Sequence, residues 1–406
     1  MRSVVFVAPF FLDTTLRFVE AVADLAGVRT GLISQDPVEK LPPALKQKLA
    51  AHWRVTDGLD PQQIADAVRG LARQIGPPQR LIGALEQLQV PLGEVRDALG
   101  IEGMGAEAAK NFRDKARMKT VLQRSGVPCA RHSRVTTEDE AWEFAREAGY
   151  PMVLKPTAGA GAKSTYRVAD EAELKHALAA VRPSEERQAV IEEFVTGDEF
   201  SFDTVTLRGK PVWHSLSYYL PAPLHVIDNP WIQWCVLIPR ETGHPKFDDI
   251  RRVAFRALEV LGMGTGLSHM EWFRRQDGSV LISEVGARPP GAQITSLISY
   301  AHDVDFYRAW ARLVALDEFD PPATKYAAGC AYLRGQGKGR IKAVHNAQVI
   351  ERDLAPIVVE SKMPRIGAAP SSSYEGDGYV ILRHPETSVV EEGLKRIVTH
   401  VRVELG

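Results

Sequence analysis

Over the first hundred residues, short apolar runs alternate with stretches whose apolar positions recur at helical spacing. Residues 3–8 and 28–33 are continuous apolar runs, the pattern of strands covered on both faces. Residues 14–26, 61–75 and 86–99 carry the three-to-four spacing of amphipathic helices, and 80–85 is a further strand. Strands alternating with helices predict a parallel sheet with right-handed crossovers over residues 1–110. No G-x-G-x-x-G follows the first strand, so the fingerprint of a dinucleotide site is missing.

From residue 111 the pattern changes. Residues 111–126 form a basic helical stretch closed by Gly126 and Pro128. By themselves, Lys115 and Arg117 on it read as a solvated face. Thr137 and Glu140 have the spacing of a capping box for a helix reaching Ala148, and Asp170 caps a second helix over 171–181. Between these helices a strand over 152–155 runs into Gly159, Gly161, Lys163 and Ser164, then into a strand over 165–168. Such backbone either wraps phosphate oxygens through its N–H groups or is a plain hairpin loop with its lysine in water. It is not a P-loop, because Ala162 precedes Lys163 and a strand follows. Lys155 ends an apolar strand, an unfavourable place for an ammonium unless it meets an anion. A strand over 189–195 ends in Glu192, Glu193, Phe194 and Val195, and Glu199 leads into a strand over 200–205. Two domains meet there. Edge backbone groups at such a junction can read a base, and a carboxylate can hold ribose hydroxyls.

The stretch 267–291 carries the densest chemistry. Asp277-Gly278 between two apolar-rich runs is a hairpin signal, since a tight turn needs residues that tolerate positive φ. If Gln276 faces Ser279, counting outward sets Glu271 opposite Glu284 and His269 opposite Gly286. Strand alternation then places His269, Glu271, Phe273, Val280, Ile282 and Glu284 on one face. Directly opposed carboxylates repel. They lie on a solvated face, share a proton or hold a cation, and oxygen ligands beside a phosphate suit Mg²⁺. Arg288-Pro-Pro-Gly291 follows and brings a guanidinium close to the pair.

The aromatic, proline-rich stretch 213–240 (with Trp213, Tyr218, Tyr219, Trp231 and Trp234) reads either as a loop walling a substrate or as a flap over the core. Helices are predicted over 246–261 and 292–316. Beyond Pro321-Pro322 come short strands at 327–333, 340–344 and 378–382, then a helix over 388–400 and a last short strand.

The chain has 406 residues, which suits two to four domains at roughly 100–200 residues each. Lys and Arg number 50 against 51 Asp and Glu, so no bulk field favours nucleic acid or an anionic membrane. Cys129, Cys235 and Cys330 are few and far apart, which suits a reducing compartment. Residues 3–12 faintly resemble a signal peptide, but Asp13, Arg17 and Glu20 interrupt the pattern and a buried strand explains it better. No run reaches the ~18 apolar residues of a membrane span. A cytoplasmic protein is expected.

Taken together, the Asp114-Lys115 helix, the Leu154-Lys155-Pro156 strand with its glycine-rich flap, Glu192–Val195, the paired glutamates and Arg288-Pro-Pro-Gly291 resemble the ATP-grasp superfamily of carboxylate–amine ligases, most nearly the L-amino acid ligases that make dipeptides. Their order covers nearly the whole chain. The resemblance implies an α/β ATP-grasp fold with an N-terminal Rossmann-like parallel-sheet domain (1–110), a lid with the flap (111–196), a central metal-bearing part (197–320) and a C-terminal α+β extension (321–406). It implies ATP with Mg²⁺, or Mn²⁺ in its place. Lys115 and Lys155 would contact phosphates, with Gly159, Gly161, Lys163 and Ser164 closing over them. Glu192, Glu193, Phe194 and Val195 would bind adenine and Glu199 the ribose. Glu271 and Glu284 would hold the metal, and Arg288 would stabilise the transferring phosphoryl group. Many members place asparagine where this sequence has Gly286, so the number of metal ions stays open. His269 either fills that gap, contacts substrate, or is a core histidine. Small-molecule carboxylate and amine substrates and a homodimer are the partners implied. A carboxylase, a purine-pathway ligase and a non-catalytic nucleotide-gated binder are the alternatives.

Overall fold

The computed structural model describes residues 1–158, 165–221, 226, 233–371, 373 and 375–406. Strands β1 (Arg2–Val7), β2 (Val28–Ser34), β3 (Ala51–Arg54) and β4 (Arg80–Ile82) form a parallel sheet in the order β3-β2-β1-β4. Val4, Val5, Phe6 and Val7 are fully buried, as a continuous apolar run requires when helices cover both faces. Helices α1 (Asp13–Ala23), α2 (Pro43–Lys48), α3 (Pro61–Ile75) and α4 (Gln89–Leu99) cross over between and after the strands. The edge strand β3 left no apolar signal because two of its four residues are exposed. The run expected as strand to residue 85 ends at Ile82, and a single 3-10 turn, Glu86–Leu88, precedes α4.

The basic stretch expected as one helix is two, α5 (Ala106–Arg113) and α6 (Lys115–Arg124). Asp114 breaks it. Its extended backbone ends α5, and its carboxylate accepts from the Arg117 N–H at 2.9 Å to cap α6. The lid sheet follows, antiparallel in the order β5-β8-β6-β7, from β5 (His132–Val135), β6 (Met152–Pro156), β7 (Tyr166–Val168) and β8 (Ala189–Glu193). Helices α7 (Glu138–Ala148) and α8 (Glu171–Val181) flank it, the first opened by the Thr137/Glu140 capping box and the second by Asp170.

The third sheet has eight strands: β9 (Asp198–Leu207), β10 (Lys210–Leu220), β11 (Trp234–Ile238), β12 (Gly266–Arg274), β13 (Val280–Gly286), β14 (Ala327–Leu333), β17 (Val358–Lys362) and β18 (Gly378–His384). Their order is β13-β12-β9-β10-β11-β14-β18-β17, so strands from both sides of residue 320 share one sheet. The aromatic stretch read as a loop or flap is therefore largely β10 and β11. Both faces of β10 are covered: Trp213, Ser215, Leu216, Ser217 and Tyr219 are all buried, which hid the alternation that marks a strand. Trp231 lies outside the described residues. Helix α9 (Asp248–Leu261) packs on one face. The run expected as one helix over 292–316 splits into α10 (Ile294–His302) and α11 (Phe306–Leu316), because Asp303 takes positive φ and Asp305 caps the next helix. A small sheet of β15 (Gly335–Gln336), β16 (Ile341–His345) and β19 (Arg402–Leu405), with α12 (Thr387–His400), completes the chain.

Phe18 of α1 meets Tyr307 and Trp310 of α11, each with ring centroids 4.8 Å apart. This contact sets the carboxyl ends of β1 and β4 over the eight-stranded sheet. In open α/β sheets that edge is where ligands bind.

Candidate active site

The hairpin β12–β13 brings Glu271 opposite Glu284 and His269 opposite Gly286, as the sequence predicts. It gets there by a different route. The turn has three residues, not two: Arg275 N–H donates to Ser279 O at 2.9 Å, Gly278 N–H donates to Arg275 O at 3.0 Å, and Gly278 takes φ +83°. Pairing therefore starts one residue off, with Trp272 opposite Ile282. A bulge between Glu271 and Trp272 restores it, Ser283 being the extra residue. The expectation that Val280 and Ile282 share the glutamates' face is thereby corrected. Both belong to the core cluster with Trp272 and Met118, on the other side of the sheet. The bulged Ser283 turns its carbonyl to the Lys119 ammonium at 2.9 Å.

A cavity of about 420 Å³ opens above this hairpin. Strand pairing builds its floor, with Glu199, Ser201 and Asp203 of β9 opposite Phe273, Glu271 and His269 of β12. Its roof is the lid: Lys155 on β6, and Glu192 and Glu193 on β8, with Phe194 and Val195 just beyond. Helix α6 supplies Lys115 and Lys119. The first domain supplies Thr14 and Thr15 after β1 and Glu86 and Gln87 after β4. The cavity thus brings Lys115, Lys155, Glu192, Glu193, Phe194, Val195, Glu199, His269, Glu271, Glu284 and Arg288 together. Gly159, Gly161, Lys163 and Ser164 lie outside the described residues.

Cations and carboxylates interlock on one side of this space. Lys155 pairs with Glu192, whose other oxygen lies 3.0 Å from Lys119, itself only 1% exposed. Burial opposes ionisation of Glu192, but Lys119 and Lys155 outweigh it and pull its carboxyl down to about 2. The anion that Lys155 requires is therefore built in. Lys115 pairs with Glu284, and this, with Lys155 nearby, holds Glu284 below the usual range against its desolvation. The Arg288 Nε donates to Glu86 at 2.8 Å.

Glu271 and Glu199 differ. Desolvation, then the charge of Glu284, raises Glu271; desolvation, then the charge of Glu271, raises Glu199 further. His269 Nδ1 lies 2.8 Å from the fully buried Asp203, which fixes the ring, while Nε2 lies 3.3 Å from the Tyr219 hydroxyl and 4.0 Å from Glu271. Asp203, Glu86 and Lys119 were not singled out from sequence, whereas Tyr219 was named there only as one of the aromatics of the 213–240 stretch. Glu86 follows the last parallel strand, and Lys119 stands one helical turn beyond Lys115, so spacing held a signal for both. For Asp203 there was none without the strand pairing.

A cation between Glu271 and Glu284 fits this donor set: two facing carboxylates, of which Glu271 is held above its usual range by desolvation and then by the charge of Glu284. Among the described residues no cluster of three metal-ligating side chains forms, so phosphate oxygens and water would complete a Mg²⁺ shell. A Cβ on Gly286 would stand 3.0 Å from a Glu86 carboxylate oxygen, so Glu86 occupies the space an asparagine there would need.

Residues 120–299 match the model of the ATP-grasp domain. The chain carries an ATP-grasp domain. The L-arginine-specific L-amino acid ligase of Bacillus subtilis is 21% identical over 271 residues, 64% of this chain and 64% of that protein. The chain thus spans less than two thirds of that relative's length. The crystal structure of an L-amino acid ligase from Bacillus licheniformis superposes with a TM-score of 0.80 at 18% identity, covering 100% of this chain and 99% of that one. N5-carboxyaminoimidazole synthetase from Staphylococcus aureus, complexed with ADP, gives 0.72 at 13% identity over 98% and 97%. The ATP-grasp fold therefore extends over the whole chain, from the parallel sheet to the C-terminal strands. No helix among the described residues is long and apolar enough to cross a membrane.

Proposed function

We propose that the chain is an ATP-dependent carboxylate–amine ligase that joins amino acids through an acyl-phosphate, releasing ADP and phosphate. One observation carries the reading. Lys115, Lys155, the Glu271–Glu284 pair and Arg288 converge on one cavity, beside a hinge suited to adenine. In this reading ATP lies with its base against the backbone of Glu193 and Val195, its ribose at Glu199 and its phosphates at Lys115 and Lys155. The two lysines exchange their carboxylate partners for phosphate oxygens. Mg²⁺ held by Glu271 and Glu284 supplies charge neutralisation at the β- and γ-phosphates. Arg288, fixed by Glu86, stabilises the transferring phosphoryl group. The substrate carboxylate takes that group and ADP leaves. The amine then attacks the acyl carbon, and inorganic phosphate departs with the bonding electrons.

The remainder of the cavity favours amino acids over the phosphorylated substrates of purine-pathway ligases. Phe18, Tyr219, Trp234, Gln293, Tyr307 and Glu375 line it. The cations lining the cavity, Lys115, Lys119, Lys155 and Arg288, each already face a carboxylate, so among the described residues no further cation awaits a substrate phosphate. The test is product analysis with pairs of amino acids and hydroxylamine present. ADP with a hydroxamate is the expected result. AMP with pyrophosphate, or no nucleotide turnover with any pair, overturns the proposal.

A further inference from the structure

Among the carboxylates facing the cavity, Glu375 has no part in the phosphate chemistry. It comes from the segment just before β18, at the opposite end of the eight-stranded sheet from Glu284. A continuous line of contacts leads to it. His269 meets the Tyr219 hydroxyl at 3.3 Å, Tyr219 lies 5.8 Å from Trp234 between ring centroids, and Trp234 stacks on Tyr332 at 4.7 Å. The Tyr332 hydroxyl donates to the carbonyl of Ala292, and the Glu375 carboxylate lies against the amide of that same residue. Ala292 and Gln293 both take positive φ, a costly pair of conformations for residues other than glycine, and so turn this backbone toward the cavity.

The two residues after Glu375 are well anchored. Asp377 accepts from Ser371 N–H at 2.6 Å and Gly335 N–H at 3.2 Å, and its own N–H donates to Leu333 O at 2.9 Å. Gly376 packs so closely that a Cβ would stand 2.6 Å from the Leu333 carbonyl oxygen. Glu86, Glu192, Glu193 and Glu284 each meet a Lys or Arg, but Glu375 forms no ion pair with a described residue. Withdrawal from water raises its carboxyl above the usual range, and the Ala292 amide offsets only part of this. A carboxylate in a cavity lined by aromatic rings, with no ion pair to a described residue, is a site for a cation supplied from outside.

We propose that Glu375 selects a substrate by binding a positively charged nitrogen at the end of the cavity remote from Glu271 and Glu284. The proposal rests on the ligase reading for its substrate class, but it can be tested by binding alone. Thermal-shift titrations of the full chain with ADP and Mg²⁺ would use two arms. In the first, L-leucine is compared with N-acetyl-L-leucine, which loses the α-ammonium. In the second, L-lysine is compared with Nε-acetyl-L-lysine, which loses the side-chain charge. In one arm the charged member binds about 10-fold or more tightly than its neutral partner, and that arm identifies the nitrogen. Glu375→Gln abolishes this preference while leaving ADP affinity unchanged, which a merely structural role would not do. Equal binding within both arms, failure of any compound to bind, or a Glu375→Gln variant that keeps the preference would each overturn it. The arms in the unaltered protein decide the matter if the variant does not fold. Charge-dependent binding without ADP formation would sink the ligase reading and leave this one standing. ADP formation indifferent to charge would do the reverse.

Discussion

The roof and the floor of the cavity handle buried carboxylates in opposite ways. On the lid, Glu192 meets two ammonium groups, and its carboxyl falls to about 2. On the floor, desolvation raises both Glu271 and Glu199, helped by the charge of Glu284 at the first and of Glu271 and Glu284 at the second. The roof is complete as folded. The floor has an excess of negative charge that only a ligand can offset, which makes it the place to look for metal and nucleotide. A buried carboxylate with its cation beside it is architecture, and one without is an invitation to bind.

Removing charge should separate the two surfaces. Glu271→Gln is expected to lower turnover on the order of 100-fold, since roughly 3 kcal/mol of phosphoryl-charge stabilisation depends on that site, while thermal stability without Mg²⁺ stays equal or rises. Loss of stability with activity retained would reverse the assignment. Lys119→Met should do the opposite. It leaves Glu192 with one ammonium instead of two, and unfolding in denaturant should require about 3 kcal/mol less. A variant as stable as the parent would mean that the roof pairs contribute nothing net. Arg288→Lys should cost turnover about 10-fold or more with nucleotide affinity little changed, because a lysine cannot hold both Glu86 and a phosphoryl oxygen in one plane. Parallel loss of nucleotide affinity would place Arg288 with the binding groups instead.

The smallest effect is a control on the other face of the floor. His214 stacks on Phe202 with ring centroids 5.0 Å apart and accepts from Arg251 at 3.2 Å. Burial, then the Arg251 charge, pulls it down to about 4. The unfolded chain therefore takes up a proton near the ordinary histidine value while the folded one does not. Stability is full above about pH 6.5 and declines as pH falls toward 4, by on the order of 1–2 kcal/mol after allowing for partial exposure. Denaturant midpoints measured across that window, with His214→Phe flattening the decline, check the sign.

Much of the site was legible because strand alternation and turn chemistry are local. Lys155, Arg288 and the facing of Glu271 and Glu284 could be anticipated from short-range rules, the last only because the bulge at Ser283 offsets the longer turn, whereas Glu192 entered through the family resemblance. Lys119, Asp203 and Glu375 could not be anticipated. Their positions depend on which distant strands pair, and a lysine one turn beyond Lys115 looks like surface until β8 brings Glu192 against it. The helix over 111–126 was misjudged where Asp114 interrupts it, because a carboxylate that caps one helix can equally lie within another. In the stretch 213–240 the strands β10 and β11 went unread because both faces of β10 are buried, so polar and apolar positions do not alternate.

The bulge at Ser283 has a further consequence for how this hairpin tolerates change. A three-residue turn alone would displace the partner of Glu271 by one position, and the extra residue in β13 cancels that displacement before the glutamates are reached. Turn length and carboxylate pairing are thereby decoupled. Deleting Ser283 would remove the bulge and leave Glu284 directly after Ile282, still opposite Glu271 in a regular ladder, but it would take from Lys119 the carbonyl it meets at 2.9 Å. In such a strand pair the bulge is the place where a change of one residue leaves the two glutamates facing each other.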